Sequence, residues 1–414
     1  MFEVFALIVA ASALMSYVNH KFIKLPPTIG VLLLSIIFSL MLSGLQFIDL
    51  EWYHKTCSIV TTIDFRTILF DFLLGFLLFA GAIHVNLNNL LEEKAPVILF
   101  ATAGVIISTL VTGTLIFQVN QWLGIGITFT ECLVFGALIA PTDPVAVLSL
   151  LQKARIQKKL EIKIIGESLF NDGVGIVVFL SMLALAGGMS EHGTEVTAGS
   201  IAQSFMVEAG GGLLLGAVLG YIGIYFLRSI SDQPIIEVHI TLGIVMAGYA
   251  LASLIGVSGA LAMVVAGLLI GNRLTKPDLP ASLKNNLNTF WNILDEVLNA
   301  ILFVLIGIEI LIVEFETVYL FLGFGAVLVA LASRYISVFL SNLAIPRKHK
   351  ATSKELIIMT WAGLRGGISI GLALNLTESM HRDPILYMTY MVVLFSILVQ
   401  GLSVGKLVKR LYPE

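Results

Sequence analysis

The residues best suited to chemistry lie together in one otherwise apolar part of the chain. Residues 166–173 read Gly-Glu-Ser-Leu-Phe-Asn-Asp-Gly, and an almost wholly apolar run follows them. At 100° per residue, a helix places Glu167 and Asn171 on one face and Ser168 and Asp172 on the neighbouring face, so the two acids point in different directions. Low dielectric favours a neutral carboxylate, whereas a nearby small cation favours a charged one. Asp172 is therefore suited to hold a proton and a hard cation in turn.

A second polar group interrupts an earlier apolar run. Residues 140–144 read Ala-Pro-Thr-Asp-Pro, and each proline removes a backbone donor and disturbs the preceding turn. We expect two half-helices with exposed carbonyls and an aspartate between them, although a simple proline kink that carries an aspartate would also fit. An ionisable residue at this depth is costly without a partner or a role. Asp143, Ser168 and the backbone carbonyl of Thr142 could join Asp172 in a partly dehydrated cage for a cation.

Two arginines, Arg334 and Arg365, also fall within apolar segments. A buried arginine requires a counter-ion, and Glu167 faces away from Asp172. We expect a structural ion pair between Glu167 and Arg334, with Arg365 then meeting carbonyls or another acid; Arg365 is the alternative partner of Glu167. The remaining acids in apolar segments are interpreted as residues nearer span ends or at helix interfaces: Asp71, Glu208, Asp295, Glu296 and Glu309.

Helices in a membrane must position these residues. Of 414 residues, 57% are hydrophobic and 12% charged, and the mean hydropathy is +0.97. The apolar runs reach the roughly 20 residues that a helix needs to cross a bilayer core of about 30 Å, and they lack the alternation of barrel strands. We predict a single all-α polytopic membrane unit over residues 1–414 with thirteen spans, near 2–19, 28–46, 67–85, 96–118, 125–151, 160–186, 200–228, 235–254, 258–272, 286–312, 318–343, 355–376 and 385–408.

The basic residues predict the orientation of these spans. With the N-terminus outside, only Lys55, Arg66 and Arg382 of the 24 Lys and Arg residues fall in outer loops. Because cytoplasmic loops carry the excess of basic residues, we expect the N-terminus outside and the C-terminus in the cytoplasm. The net charge of −3 gives no reason to expect a nucleic-acid partner. The two cysteines have no metal-binding spacing, and no cofactor is expected.

Helix-breaking residues concentrate in the fifth and twelfth predicted spans. The fifth contains Pro141 and Pro144, and the twelfth reads Gly-Leu-Arg-Gly-Gly at 363–367. These spans are seven apart, so they run in opposite directions, as an inverted repeat requires. In transporters built this way, two interrupted helices cross near the bilayer midplane, and their dipole ends and carbonyls form the ion site.

These motifs resemble, in order and over the whole chain, those of the NhaP-type sodium/proton antiporters, bacterial relatives of the animal sodium/proton exchangers. The resemblance rests on Pro-Thr-Asp-Pro at 141–144, Glu-Ser-Leu-Phe-Asn-Asp at 167–172, Ser-Arg-Tyr at 333–335 and Gly-Leu-Arg-Gly-Gly at 363–367. It implies an NhaA-like fold and a homodimer. The implied dimerisation domain covers about residues 1–95 and 200–315, and the mobile ion-transporting core covers about 96–186 and 318–410.

The resemblance also implies function and site. It implies exchange of Na⁺ or Li⁺ for H⁺ across the bacterial inner membrane for sodium and pH homeostasis, by a transporter rather than an enzyme. The implied cation ligands are Asp143, Ser168, Asp172 and the Thr142 backbone, with Glu167 paired to an arginine.

Two positions bear on the ions exchanged. Asn171 before Asp172, in place of a second aspartate, is similar to the electroneutral branch that exchanges one Na⁺ for one H⁺. Ala80 stands where relatives often carry an acid, so the resemblance does not fix affinity or ion preference. K⁺/H⁺ exchange is kept as a variant of the antiporter hypothesis.

Two other classes of protein share some of these features. A sodium-coupled solute symporter would also have crossed helices but should show polar side chains for an organic substrate. An intramembrane aspartyl protease also uses two membrane acids, but its Gly-x-Gly-Asp signature does not occur in the sequence.

Overall fold

The structure is a computed structural model that describes residues 2–44, 51, 64–143, 151, 156–187, 198–230, 233–274, 281–309 and 317–412. Within these ranges the regular structure is entirely helical. The helices, numbered in chain order, are α1 (Phe2–Val18), α2 (Pro27–Gly44), α3 (Phe65–Ile83), α4 (Leu87–Glu92), α5 (Lys94–Leu123), α6 (Phe129–Ile139), α7 (Lys158–Gly187), α8 (Ala198–Ser229), α9 (Pro234–Leu254), α10 (Gly259–Arg273), α11 (Ala281–Glu309), α12 (Thr317–Ala344), α13 (Ser353–Ala362), α14 (Gly367–Leu374) and α15 (Arg382–Leu411).

Most of these helices are long and apolar enough to cross a membrane. Ten segments of the described chain meet that criterion singly, and α13 with α14 meets it as a pair bent by 53°. Two shorter apolar helices, α6 and α10, lie where the fifth and ninth spans are predicted. The chain is thus an all-helical polytopic membrane protein with ten or eleven candidate full-length spans, and the count of thirteen stays a prediction.

The buried apolar side chains form three clusters. The largest joins mainly α1, α2, α3, α9, α10 and α11. The second joins α5, α6, α7, α12, α14 and α15, and the third packs α12 and α13 against the ends of α5, α7 and α15. The polar motifs identified in the sequence lie mostly on helices of the second and third clusters. The division into a dimerisation domain and a core stays a prediction.

The two helices that precede the predicted breaks begin in the same way. Thr128 and Glu131 form a capping box at the start of α6, and Thr352 and Glu355 form one at the start of α13. In each box the hydroxyl and the carboxylate satisfy backbone N–H groups that a helix start leaves open. Gly136 then allows α6 to lie directly against the Thr109 carbonyl of α5. The starts of both helices are therefore fixed independently of their ends.

Candidate ion-binding site

Residues 363–366 form a non-helical link between α13 and α14. The backbone groups that this link frees find partners on α15. The Arg365 N–H donates to Ser396 Oγ at 2.8 Å. The side-chain Nε2 of Gln400 donates to the Trp361 carbonyl at 3.2 Å. Ser396 and Gln400 are the first and last residues of a π-helical turn, a local widening of the helix that is frequent at functional sites. Backbone at membrane depth requires such internal partners.

The end of α6 lies against this link. The Asp143 N–H donates to the Leu364 carbonyl at 2.8 Å. The buried Arg365 guanidinium donates to the Ala140 carbonyl and, at 2.8 Å, to the Pro141 carbonyl. Carbonyls at a helix C-terminus carry partial negative charge and lack intrahelical donors, so Arg365 satisfies the backbone at the point where α6 stops. Residues 144–150, with Pro144 and the predicted second half of this span, lie outside the described part of the chain.

Thr142 is held in place by α7. The Asn171 side chain donates from Nδ2 to Thr142 Oγ1 at 2.8 Å and accepts from the Thr142 N–H at 3.3 Å. The Thr142 and Ser168 hydroxyls are 3.1 Å apart and share a further hydrogen bond. All three residues are buried. Asn171 therefore fixes both the backbone and the side chain of the residue that precedes Asp143.

Asp172 lies one residue beyond this hydrogen-bonded group and faces a large cavity. The cavity has a volume of about 1520 Å³ and is lined by Asp143, Ser168 and Asp172 at its deep end. Asp172 is only 8% exposed, and its carboxylate makes no hydrogen bond to the residues that the structure describes. The charges of Asp143 and Asp172 are close enough to repel each other. A buried carboxylate beside a partly buried one favours binding of a cation or a proton.

The cavity continues from this deep end to two interhelical loops. Lys24 and Pro26, between α1 and α2, line it, as does His84 after α3. At the deep end, a Cβ on residue 366 would lie 2.8 Å from Asp143 Oδ2. A glycine at 366 therefore allows the close approach of Asp143 to the link between α13 and α14.

Glu167 points away from the cavity and pairs with Arg334 of α12. The Arg334 guanidinium donates to Oε1 and, at 3.0 Å, to Oε2 of Glu167. A third, longer contact of 3.4 Å reaches the Met359 carbonyl. Of the two arginines that the sequence offered, Arg334 is thus the partner of Glu167, and Arg365 contacts the carbonyls at the end of α6.

The structure brings most of the predicted site residues together. Asp143, Ser168 and Asp172 line the cavity, and Thr142 lies beside them, hydrogen-bonded to Asn171 and Ser168. Ala80 is buried in the cavity wall.

Metal-binding clusters of another kind do not occur in the described ranges. No group of three or more His, Cys, Asp or Glu side chains is arranged there to hold a metal ion.

One acidic pair lies at a place that the sequence did not indicate. Asp295 and Glu296 were expected near a span end or at a helix interface, and the structure places them near the middle of α11, where they line the cavity. The helix begins at Ala281, before the predicted start near residue 286, so both acids lie further from its start than expected. Asn299 and Ser369 also line the cavity, and no signal in the sequence singled them out.

Comparison with known proteins identifies the family to which the sequence is similar. The sodium/hydrogen exchanger transmembrane family matches residues 8–410. The Na⁺/H⁺ antiporter NhaP of Pseudomonas aeruginosa is 43% identical over 417 residues, which cover 100% of this chain and 97% of that protein. The Na⁺/H⁺ antiporter NhaH of Halobacillus dabanensis is 32% identical over 393 residues, or 94% of this chain and 93% of the relative.

A solved structure shares the fold over nearly the full length. The sodium proton antiporter MjNhaP1 from Methanocaldococcus jannaschii, determined at pH 8, superposes with a TM-score of 0.76 at 22% identity, covering 99% of this chain and 98% of that one. The relatives are transporters rather than enzymes. The chain therefore belongs to the sodium/hydrogen exchanger family, in its NhaP-type branch.

Proposed function

We propose that this protein exchanges Na⁺ or Li⁺ for H⁺ at Asp172, with Asp143, Ser168 and the backbone carbonyl of Thr142 as further ligands. The observation that carries the proposal is the state of Asp172: a mid-helix carboxylate, almost fully buried, without a hydrogen bond from the described residues, at the end of a cavity. Two relatives matched over nearly their whole length are Na⁺/H⁺ antiporters by name. The family leaves the symporter and protease alternatives without support.

Exchange follows from competition for one carboxylate. In a site of low dielectric the charged form of Asp172 is costly, so either a proton or a cation must neutralise it. A bound Na⁺ favours the charged form, which releases the proton, and a proton removes the charge that holds the cation. Neither species stays when the other binds. Alternating exposure of such a site to the two sides of the membrane produces exchange, with the ions as substrates and no cofactor.

We also propose a stoichiometry of one Na⁺ for one H⁺. The residue before Asp172 is an asparagine whose amide is used in two hydrogen bonds to Thr142. It cannot carry a second proton, so one charge is exchanged for one charge at Asp172. Transport would then be electroneutral and independent of membrane potential.

The architecture proposed for this transporter has thirteen spans in an NhaA-like inverted repeat, with the fifth and twelfth spans broken and crossed. Contacts between residues 140–143 and 363–366, the 53° bend and the similarity to MjNhaP1 support it. A homodimer would form through the dimerisation domain, about residues 1–95 and 200–315, while the core, about 96–186 and 318–410, carries the ion.

We propose that the protein works in the bacterial inner membrane, for sodium and pH homeostasis. Its N-terminus would lie outside and its C-terminus in the cytoplasm. In this orientation Lys24 and His84 lie in cytoplasmic loops, and the cavity that they line opens to the cytoplasm.

The decisive variant is Asp172→Asn, which keeps the shape of the side chain and removes its charge. In proteoliposomes we expect no Na⁺-driven proton flux, with normal elution and melting of the purified protein. Asp383→Asn is the control, because Asp383 is an exposed acid at the start of α15, and it should transport like wild type. Undiminished flux from Asp172→Asn refutes the assignment.

Gradients of Na⁺, Li⁺ and K⁺ would identify the ion and the stoichiometry. For electroneutral exchange, the Na⁺-driven flux should be the same with the membrane potential clamped and unclamped. A flux that follows the potential contradicts the one-for-one ratio. If a K⁺ gradient drives proton flux and a Na⁺ gradient does not, the substrate is K⁺ and not Na⁺.

A further inference from the structure

The cavity that Asp172 lines also carries polar residues that the proposed exchange site does not use. On α11, Asn292, Asp295 and Asn299 follow one another at intervals of three and four residues, so they lie along one helical face. All three line the cavity. Asp295 is near the middle of the 29-residue α11, and Asp172 is near the middle of the 30-residue α7. Both acids therefore lie far from the helix ends.

Asp295 is oriented by its own helix. Asn299 Nδ2 donates to Asp295 Oδ1 at 3.1 Å and to the Asp295 backbone carbonyl at 2.9 Å. Within the described residues, the second carboxylate oxygen has no hydrogen-bond partner. The charge of Asp295 also interacts with that of Asp143 at the deep end of the cavity. An oriented carboxylate that repels a neighbouring carboxylate gains most from a cation between them.

Ser369 on α14 provides an independent observation. It lines the same cavity and is 1% exposed, yet its hydroxyl has no hydrogen-bond partner among the described residues. Serines within helices commonly bond to the carbonyl of the preceding turn, as Ser35 and Ser181 do here. A buried hydroxyl without a partner is costly, which indicates that a species outside the protein chain satisfies it.

We propose that Asp295 and Ser369, together with Asp143, form a second cation position on the cavity side of Asp172. A partly hydrated alkali cation would bind there before it moves to Asp172. Carboxylate and hydroxyl oxygens are the ligands that hard cations prefer. This inference rests on the proposed function, because it assigns an entry position to the same transported cation. Asp295 is the binding residue, and Asn299 positions it.

The arrangement would make the second position transient. Asp295 lies on a helix of the proposed dimerisation domain, whereas Asp143 and Ser369 belong to the proposed core. Movement of the core would separate these ligands. The cation would then remain only with Asp172 and its neighbours, so a second cation position is compatible with exchange of a single Na⁺.

The first test compares transport kinetics of full-length variants in proteoliposomes. Asp295→Asn should raise the KM for Na⁺ about tenfold, equivalent to about 1.4 kcal/mol of binding free energy, while the maximal rate stays near that of wild type. Ser369→Ala should shift the KM in the same direction by a smaller factor. The matched control is Glu296→Gln, which removes the same charge from the adjacent cavity residue and should leave the KM unchanged.

Three results of this kinetic test overturn the proposal. An unchanged KM in Asp295→Asn means that no cation binds there on its path. An equal rise of the KM in Asp295→Asn and Glu296→Gln means that the acids only attract cations through their general field. Loss of the maximal rate with an unchanged KM also contradicts a role in binding.

The second test measures binding without transport. Na⁺ should raise the melting temperature of purified Asp172→Asn above that measured in choline at equal ionic strength. The effect should require a higher Na⁺ concentration than in wild type. In Asp172→Asn/Asp295→Asn the effect should vanish. Equal stabilisation of both variants, or none in Asp172→Asn, refutes the second position. If wild type binds Na⁺ in this way but exchanges none for H⁺, the proposed function fails and the second position stands.

Discussion

The ion pair between Glu167 and Arg334 allows a quantitative test of what holds the core together. Both side chains are buried, Glu167 to 1% exposure, and the guanidinium contacts both carboxylate oxygens. Arg334→Met leaves Glu167 without this donor, and Glu167→Met leaves Arg334 with only a 3.4 Å contact to the Met359 carbonyl. Removal of one partner from a buried pair costs about 3–5 kcal/mol. We expect each single variant to lose stability in that range.

The double variant distinguishes a lost ion pair from lost packing. Glu167→Met/Arg334→Met removes both charges and fills the space with two flexible apolar side chains. Replacement of a whole buried pair by apolar groups is often neutral, so the double variant should be more stable than either single variant. Independent contributions would instead add, and the double variant would be the least stable of the three.

Two measurements test these differences. Size-exclusion chromatography after heating in detergent gives the melting temperature, and denaturant titration gives the free energy of unfolding. The control is Lys158→Met, which removes a 69% exposed lysine from its ion pair with Glu161, whose side chain is 9% exposed. Because solvent reaches the lysine, we expect a loss nearer the roughly 0–1 kcal/mol of surface pairs than that of a fully buried pair. If Arg334→Met melts at the same temperature as Lys158→Met, or if the double variant is the least stable, the argument from buried charge is wrong.

Three further predictions follow from single contacts. Gly366→Ala should raise the KM for Na⁺, because its Cβ would lie 2.8 Å from Asp143 Oδ2. The control Gly210→Ala has open space around its Cβ and should leave the KM unchanged, so equal KM values in the two variants would contradict this reasoning. Gly363→Ala places a Cβ 2.6 Å from Arg334 Nε and should lower the melting temperature; an unchanged melt would show that the guanidinium adapts. Burial lowers the pKa of His84, against a hydrogen bond with Asn288, so the folded protein binds this proton less tightly and loses stability as the pH falls below the ordinary histidine value of about 6.5. His84→Gln should therefore lose less melting temperature than wild type between neutral and acid pH, and parallel curves would refute the shift.

The positions of the central acids could be inferred from sequence because their surroundings are so apolar. An aspartate or glutamate inside a membrane span is expensive, and Asp143, Glu167 and Asp172 stand out for that reason. Helical periodicity also separated Glu167 from Asp172 correctly, with one facing Arg334 and the other facing the cavity. These inferences need only local geometry, which the residue order largely determines.

The partners of the two arginines required the tertiary structure. Arg334 and Arg365 look alike in sequence, and both could reach Glu167. What separates them is the end of α6, where the carbonyls of Ala140 and Pro141 lie within reach of Arg365. Periodicity on one helix says nothing about which neighbour supplies a donor. That choice depends on how two breaks from distant parts of the chain meet.

The residues of the second cation position were hidden for different reasons. Asp295 was one of several acids in apolar segments, and its sequence neighbours do not show that it faces a cavity, because that depends on which helices pack against α11. Ser369 could not be identified from sequence. A helical serine that bonds to its own backbone and one that faces a cavity have the same sequence pattern. The wall of the cavity, to which α1, α2, α3, α7, α11 and α14 contribute, shows where these side chains lie.

The charges around the cavity explain why Asp172 is the group we assign to exchange. Arg334 is committed to Glu167 by two hydrogen bonds, and Arg365 is committed to carbonyls at the end of α6. Each of these arginines therefore stabilises structure, and neither is placed to neutralise Asp172. A buried carboxylate that the protein does not neutralise must draw a positive charge from solution. The cavity supplies a route for it, and Na⁺ and H⁺ are the cations that would compete there.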